Sequence, residues 1–550
     1  MKHNTKIVWV IGTILFLSQT AWSQVDDQQD GEVQDAEIVI EKERKIKLNN
    51  ERKLYEFIKW KPERTSVISP PSEFKWYIYD VANEPVDFEP AQASVSENLR
   101  TYRHYGKAGL GNYASPLLDV SLTGASVVDH MIGLNVKHRS FGTGEVDGEN
   151  SGAAVTELNI FGGLIREQFR LESGLNYRLE KNYYYGYPEG TVVGNNDIKH
   201  RANFLNLNLG IVDNFDDDDW AYRADFNFRN YSDNFNAKEN TIKGEFDLGY
   251  SEILYLNTEV VLSKYQDVGI DESRSYFRLN PYYRLLIEGL ILDLGISVSL
   301  QNDDFPDLGS SRFFPYAKAS YPLLDGYTVF AELDGGYTFN SLYEFAGEVG
   351  VLNQSTTLAN SEQLFDFSGG ISGNPTERLS LTAKVSFQSV RYLPVMVNNV
   401  LDQSRIDLIY DVENSKIFAF IGKALYEINA SHELSMGVNL FSYSSKGYDQ
   451  IYHRPTSEIL ISGSHEVLPR LQAKWNFTFM GGLVARGIQV TDPDVNLEAI
   501  SKLDLELHYQ LKEQWGIFLS GENMMNQNYS RYLYYPQRGI QIRGGATFRF

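Results

Sequence analysis

The chain has 550 residues, no cysteine, 13% aromatic residues and a formal net charge of -22. Without cysteine there can be no disulfide, no thiol chemistry, no cysteine-ligated zinc or iron–sulfur cluster, and no lipid anchor on a cleavage-site cysteine. The acidic balance argues against a nucleic-acid partner, whose phosphates call for Lys/Arg patches.

The N-terminus fixes the compartment. Lys2 and Lys6 form a positive n-region, residues 7–17 are almost wholly apolar, and Ala21-Trp22-Ser23 places small residues two apart before Gln24. This pattern predicts a secretory signal peptide over 1–23, cleaved near Ser23. The apolar run is too short to span ~30 Å of hydrocarbon as a helix. Residues 24–36 (QVDDQQDGEVQDA) are acidic and nearly free of large apolar groups, so disorder is expected there. A short β-prone patch, Glu37-Ile38-Val39-Ile40, follows, then a mixed-charge stretch over 41–60. Residues 61–101 carry Pro62, Pro70, Pro71, Pro85 and Pro90 around one predicted strand at 74–81. Segment 24–101 therefore reads as a short periplasmic or lumen-filling piece, partly disordered.

From about Tyr102 the texture becomes alternation and stays so to Phe550. Leu503, Leu505, Leu507, Tyr509 and Leu511 interleave with Lys502, Asp504, Glu506, His508 and Gln510. Leu379, Leu381, Ala383, Val385 and Phe387 interleave with Ser380, Thr382, Lys384, Ser386 and Gln388. Ile540, Ile542, Gly544, Ala546, Phe548 and Phe550 do the same with Gln541, Arg543, Gly545, Thr547 and Arg549. Period two means strands with one buried face. A soluble sandwich explains one such strand but not roughly 20 to 23 of them, each near the ~9–11 residues that cross a bilayer at a tilt. Mean hydropathy is only -0.33, yet there are 35 Tyr and 31 Phe. A barrel hides its membrane signal in this way, because only alternate side chains meet lipid. The predicted fold is all-β: a transmembrane antiparallel outer-membrane β-barrel over 102–550, with about 22 strands (range roughly 18–24). Short links at 324–326, 374–377 and 511–514 suit tight periplasmic turns. Longer polar links at 143–152, 186–197, 302–311 and 347–361 suit extracellular loops. Tyr183-Tyr184-Tyr185, Tyr282-Tyr283 and Tyr534-Tyr535 are expected at the headgroup level. The terminal Phe550 on a closing amphipathic strand is the feature by which outer-membrane assembly machinery handles such barrels.

Two regions resemble the TonB-dependent receptor superfamily as found in Bacteroidota. One is Gly521-Glu522-Asn523-Met524-Met525-Asn526-Gln527-Asn528-Tyr529, followed by Tyr534-Tyr535-Pro536, Arg538-Gly539 and Gly544-Gly545-Ala546-Thr547-Phe548-Arg549-Phe550. The other is Tyr105-Gly106-Lys107-Ala108-Gly109-Leu110-Gly111-Asn112-Tyr113 with Ser115-Pro116-Leu117-Leu118-Asp119, similar to the barrel opening of short members of that group. The resemblance implies solute passage across the outer membrane. It departs in one respect: only about 80 residues precede the barrel after Gln24, without a recognisable plug domain. Glu37, Ile38, Val39 and Ile40, with Asp35 and Ala36, loosely resemble a TonB box, which would make TonB a partner by strand addition. An ordinary β-prone patch is the other reading.

No enzyme motif is present: no G-x-S-x-G, no P-loop and no H-E-x-x-H. Ser464 and His465 are adjacent on a predicted strand and point to opposite faces. No enzymatic activity and no cofactor are expected. Asp216, Asp217, Asp218 and Asp219 offer hard oxygen ligands for Ca²⁺, as does the similar Asn302–Asp307 stretch, although a solvated acidic loop explains both. The expected lumen lining includes Lys384, Asp504, Glu506, His508, Arg543 and Arg549, a mixed set without strong ion selectivity. The expected partners are outer-membrane lipid and lipopolysaccharide, the assembly machinery through Phe550, and TonB or periplasmic lipoprotein partners. Solute transport is the first functional expectation. The alternative is an accessory or structural barrel in envelope assembly or lipoprotein anchoring.

Overall fold

The computed structural model describes residues 104–126, 130–142, 148–187, 191, 193–213, 220–324, 326–488 and 492–550. These form one closed antiparallel sheet of 22 strands. Each strand pairs with its neighbour in the chain, and the ring closes where His104–Gly111 meets Gln541–Arg549, in the register Tyr105↔Arg549 to Gly111↔Arg543. The two ends are tied by His104 N–H to Phe550 O at 3.0 Å and Phe550 N–H to His104 O at 3.1 Å. Closure leaves no sheet edge, so every strand of the ring has a ladder on both sides.

Alternation in sequence becomes alternation of burial. In Trp515–Glu522, Gly516, Phe518, Ser520 and Glu522 are buried while Trp515, Ile517 and Leu519 are exposed. In Ile500–Gln510, Lys502, Asp504, Glu506 and His508 are buried between half-exposed leucines. The polar set is inside and the apolar set outside, the reverse of a water-soluble fold. Exposed outward side chains include Leu110 (71%), Phe313 (74%), Ile132, Phe246 and Leu519. At about 25 cal/mol per Å², leaving such a belt in water would be very costly. Hydrocarbon removes that cost.

The rims differ. Links 166–168, 251–253, 288–289, 377–378, 430–431, 469–470 and 511–514 are short and share the rim that holds His104 and Phe550. Glu288-Gly289 is a two-residue turn with both φ positive (48° and 87°), the geometry that matches the right-handed strand twist and that only glycine adopts freely at its second place. Links 184–198, 302–310, 339–360, 392–414, 445–456, 482–499 and 523–540 lie at the opposite rim. Several strands are longer than a crossing needs. Phe169–Tyr183 has 15 residues and Ile270–Ile287 has 18, so the wall rises past the apolar belt and carries the long links with it.

Aromatic rings gather at the short-turn rim. Trp220 lies 4.6 Å from Tyr250, Tyr255 stacks on Tyr282 at 5.0 Å, and Trp515 lies 4.5 Å from Phe548. Tyr283 is exposed outward, as expected. The other two tyrosine clusters are not at a headgroup level. Tyr184 and Tyr535 are 1% and 3% exposed, inside a core made by the long links, and Tyr183, on the convex face with its ladder partner Lys199, is 6% exposed and packs on the same core. Their rings are too valuable as apolar packing to be left at an interface once the links fold inward.

Candidate functional site

The concave face along the closing seam is lined by charge. Lys107 Nζ sits 2.7 Å from Glu506 Oε2 and 4.2 Å from the centre of the Phe518 ring. That ring lies over two opposed glycines: a Cβ on either Gly109 or Gly545 would meet Phe518 at 2.6 Å, and one on Gly545 would also meet Ala108 O at 2.0 Å. His508 Nε2 is 2.8 Å from Thr547 Oγ1, Lys502 pairs with Asp504 at 2.8 Å, and Asp504 accepts the Asn523 N–H at 2.9 Å. Arg139 and Arg543 both reach Glu522, at 2.5 and 2.6 Å. Arg139 and Glu522 stand on strands separated by three others, so only the inside of a closed sheet lets them touch. Arg139, Arg538 and Arg543 surround the Phe141 ring, with guanidinium carbons 5.0, 4.4 and 4.9 Å from its centre. Arg139 and Arg543 share the Glu522 carboxylate while Arg538 donates to the Ser151 carbonyl, so three guanidiniums around one carboxylate leave excess positive charge, which suits this spot to an anionic group.

At the long-loop rim the links close over the lumen. Helix Leu342–Glu348 is capped by Ser341, whose hydroxyl accepts the Glu344 N–H, and it buries Leu342, Phe345 and Ala346. Glu239, on a wall strand, accepts the Tyr343 N–H at 2.8 Å and so meets the first turn of the helix. A hairpin, Leu393–Asn398 with Ile406–Asp411, is buried along its whole first strand. In ring order Phe169–Tyr183 is the fifth strand and Ser415–Asn429, at the foot of this hairpin, the sixteenth. The hairpin therefore reaches across to the opposite wall. There the Arg405 guanidinium lies 4.8 Å from the Tyr184 ring and 4.9 Å from Phe235. Ile406 N–H bonds Val351 O at 3.0 Å, Tyr184 Oη donates to Leu352 O at 3.1 Å, and Tyr535 Oη donates to Ser404 O. Leu342, Leu352, Leu358, Met396, Ile406, Tyr184 and Tyr535 share one continuous apolar core. Beside it His453 is fully buried, with Nε2 3.3 Å from Asn398 Oδ1 and its carbonyl accepting from Arg531 at 2.6 Å. Burial and the adjacent Arg531 charge push its imidazole down to about 3, so it is neutral.

The sequence-derived residues are distributed as follows. Asp504, Glu506, His508 and Arg543 are buried on the concave face, and Lys384 and Arg549 are half-buried on it. Asp216, Asp217, Asp218 and Asp219, and Glu37, Ile38, Val39 and Ile40, lie outside the described residues, as do the signal peptide and segment 24–101. The second acidic stretch is no open ion site. Both Asp303 oxygens accept from Arg274, at 2.9 and 2.7 Å, and Oδ2 also accepts the Asn360 N–H. That carboxylate fastens loop 302–310 to loop 339–360. Among the described residues no group of three or more His, Asp or Glu could hold a metal ion. Sequence reading missed Arg139, Arg538 and the cap. Arg139 and Glu522 are 383 residues apart, and nothing local announces such a pair.

No protein-family model matches the chain, and no curated protein matches it. Solved structures do. The ferric-catecholate import receptor Fiu from Escherichia coli K12, in its closed form, aligns over 82% of each chain at TM-score 0.59 and 10% identity. The FrpB iron transporter of Neisseria meningitidis aligns over 82% of each at 0.60 and 11%. The pyoverdine outer-membrane receptor FpvA of Pseudomonas aeruginosa PAO1, bound to pyoverdine, aligns over 83% of this chain and 79% of its own at 0.60 and 12%. This chain shares their barrel fold. At such identity the likeness speaks for architecture.

Proposed function

We propose that this chain is an outer-membrane β-barrel of the TonB-dependent-receptor type that passes a solute through its lumen, with the long-loop cap as its outer gate. The observation that carries this is the closed 22-strand sheet, apolar outside and charged inside, with one rim closed by its own links. Among the solved barrels of the same fold, Fiu is named a ferric-catecholate import receptor, FrpB an iron transporter and FpvA a pyoverdine outer-membrane receptor, which supports solute passage here. On this reading the short-turn rim and both ends of the barrel face the periplasm, and the signal peptide is cleaved near Ser23. Segment 24–101 serves as a periplasmic or lumen-filling piece, with Glu37, Ile38, Val39 and Ile40 engaging TonB. Phe550 is presented to the assembly machinery. The lumenal set Lys384, Asp504, Glu506, His508, Arg543 and Arg549, joined by Arg139 and Arg538, meets the solute. The four carboxylates Asp216, Asp217, Asp218 and Asp219 remain a Ca²⁺ candidate that metal titration tests.

A second reading, an accessory barrel that scaffolds other envelope proteins, draws on the continuous apolar core across the mouth, which gives the cap the build of a fixed lid. Single-channel recording in planar bilayers separates the two. The intact chain is compared with versions lacking 24–101 or carrying a short Gly-Ser link in place of the hairpin 393–411. Conductance in the intact chain or in either variant supports passage. Silence from all three, with folding verified, overturns it in favour of the accessory barrel.

A further inference from the structure

On the convex face at the long-loop rim, positive charge is concentrated on neighbouring strands. In the ladder between Phe169–Tyr183 and Lys199–Asp213, Lys181 stands directly opposite Arg201, and Tyr183 opposite Lys199. The alternating residues His200 and Ala202 are buried on the concave side, so Lys181, Lys199 and Arg201 project outward. Two strands on, Lys238 begins Lys238–Tyr250 exposed, and its neighbour Glu239 is the buried, inward one. Among the described residues none of these four bases forms an ion pair. Lys264 on the same face has its own counter-ion, Asp271, at 2.6 Å. Directly opposed like charges destabilise a ladder, and this pair occurs in a chain of net charge -22.

The backbone here is held firmly. The Asn234 side chain accepts the Arg201 N–H at 2.6 Å and donates to Lys199 O at 3.0 Å, and Lys181 Nζ rests 5.1 Å from the Tyr183 ring. Toward the middle of the wall the outward side chains grade through an amide tier into the apolar belt. Tyr177 Oη donates to Asn203 at 2.8 Å and Asn230 to Asn240 at 2.8 Å, and beyond them lie Leu207, Leu209, Phe226 and Ile242, all exposed. Apolar, then amide and phenol, then cationic is the order met on leaving hydrocarbon for a charged headgroup layer, where long basic side chains extend to phosphate.

We propose that Lys181, Lys199, Arg201 and Lys238 form a docking site for anionic lipid headgroups bearing phosphate monoesters in the leaflet that meets the long-loop rim. The site rests on reading the chain as a membrane-spanning barrel. The opposite side of the ring supplies the control: Lys416 is exposed outward there, with Ser389 and Ser444 as its ladder partners.

The test uses the full chain in mild detergent, with diphosphorylated lipid A and phosphatidylcholine as probes and retained lipid read by native mass spectrometry. Wild type is expected to retain lipid A in preference to phosphatidylcholine. Lys181→Gln/Lys199→Gln/Arg201→Gln should bind it roughly tenfold less, while Lys416→Gln matches wild type. Retention should fall with added salt, and inorganic phosphate at equal concentration should not displace the lipid. Should the triple variant misfold, Arg201→Gln alone is expected to weaken retention about threefold. Equal lipid A retention by wild type and the patch variants overturns the proposal, as does equal retention of phosphatidylcholine or displacement by free phosphate. Heat-shifted electrophoretic mobility and vesicle insertion are scored alongside. A wild type that fails these strikes the barrel reading itself, whereas an inserted barrel indifferent to the patch strikes only the lipid site.

Discussion

Lys107 and Glu506 are 8% and 9% exposed at the side chain and meet at 2.7 Å against the Phe518 ring. A buried pair is costly to half-remove, because the remaining charge keeps its desolvation without its partner. Lys107→Met is expected to cost about 3–5 kcal/mol in urea unfolding from detergent, and the double variant Lys107→Met/Glu506→Gln to regain most of it. Gly545→Val should destabilise by about 3 kcal/mol or more, since its Cβ falls on Ala108 O across the seam. The measurable outcome is loss of the heat-shifted folded band. His453 carries a pH prediction. Its folded value, about 3, lies below the ordinary histidine value near 6.5, so the protonated form prefers the opened state. Stability of the cap is full above about pH 6.5 and declines as pH falls toward 3, by at most about 1.4 kcal/mol per unit. Protection factors for amide exchange of residues 448–454, corrected for the intrinsic rate at each pH, should therefore fall between pH 7 and 5 in wild type and stay level in His453→Gln.

Among elements, strands were the most legible in the sequence. Lys502–Gln510 could be assigned by alternation alone because each residue's face is fixed by the pleat, a local property. The sorting of short from long links was readable for the same reason: turn chemistry is local. The cap was not. Tyr183-Tyr184-Tyr185 and Tyr534-Tyr535 have the composition of an interfacial girdle, and only their contacts with Leu352, Ser404 and Pro536, from 131 to 351 positions away, put them in a core. Asp303 likewise had the look of a solvated ligand until Arg274, 29 residues back, was seen to claim it. The hairpin Leu393–Asn398 with Ile406–Asp411 is the element whose loss should matter most. Arg405→Ala removes its contacts with Tyr184 and Phe235 and should loosen the cap by about 1–2 kcal/mol. The readout is protease cleavage within 392–414, faster in the variant while the barrel wall stays resistant.

For the whole molecule, exterior and interior obey opposite rules. Leu519→Arg, on the convex face, is expected to lower folding stability in vesicles by about 2–4 kcal/mol, and Lys384→Gln, on the concave face, to leave it nearly unchanged. The contrast disappears if the belt does not face lipid. The 22-strand closure was visible from strand count and chain length. The partners across the seam were not, because Tyr105 and Arg549 sit at the two ends of the ring and pair only once everything between has folded.

A hairpin that crosses the mouth from one wall to the other also acts mechanically. A thin cylindrical wall resists stretching along its hydrogen bonds but yields readily to flattening into an ellipse. A strut fixed at both ends removes that soft mode along its own direction. With Ser415–Asn429 at one foot and Arg405 braced on Tyr184 at the other, the cross-section is stiffened along that diameter. Lateral pressure from the surrounding bilayer is then borne by the brace, and freeing its tip at Arg405 would soften the whole ring at once.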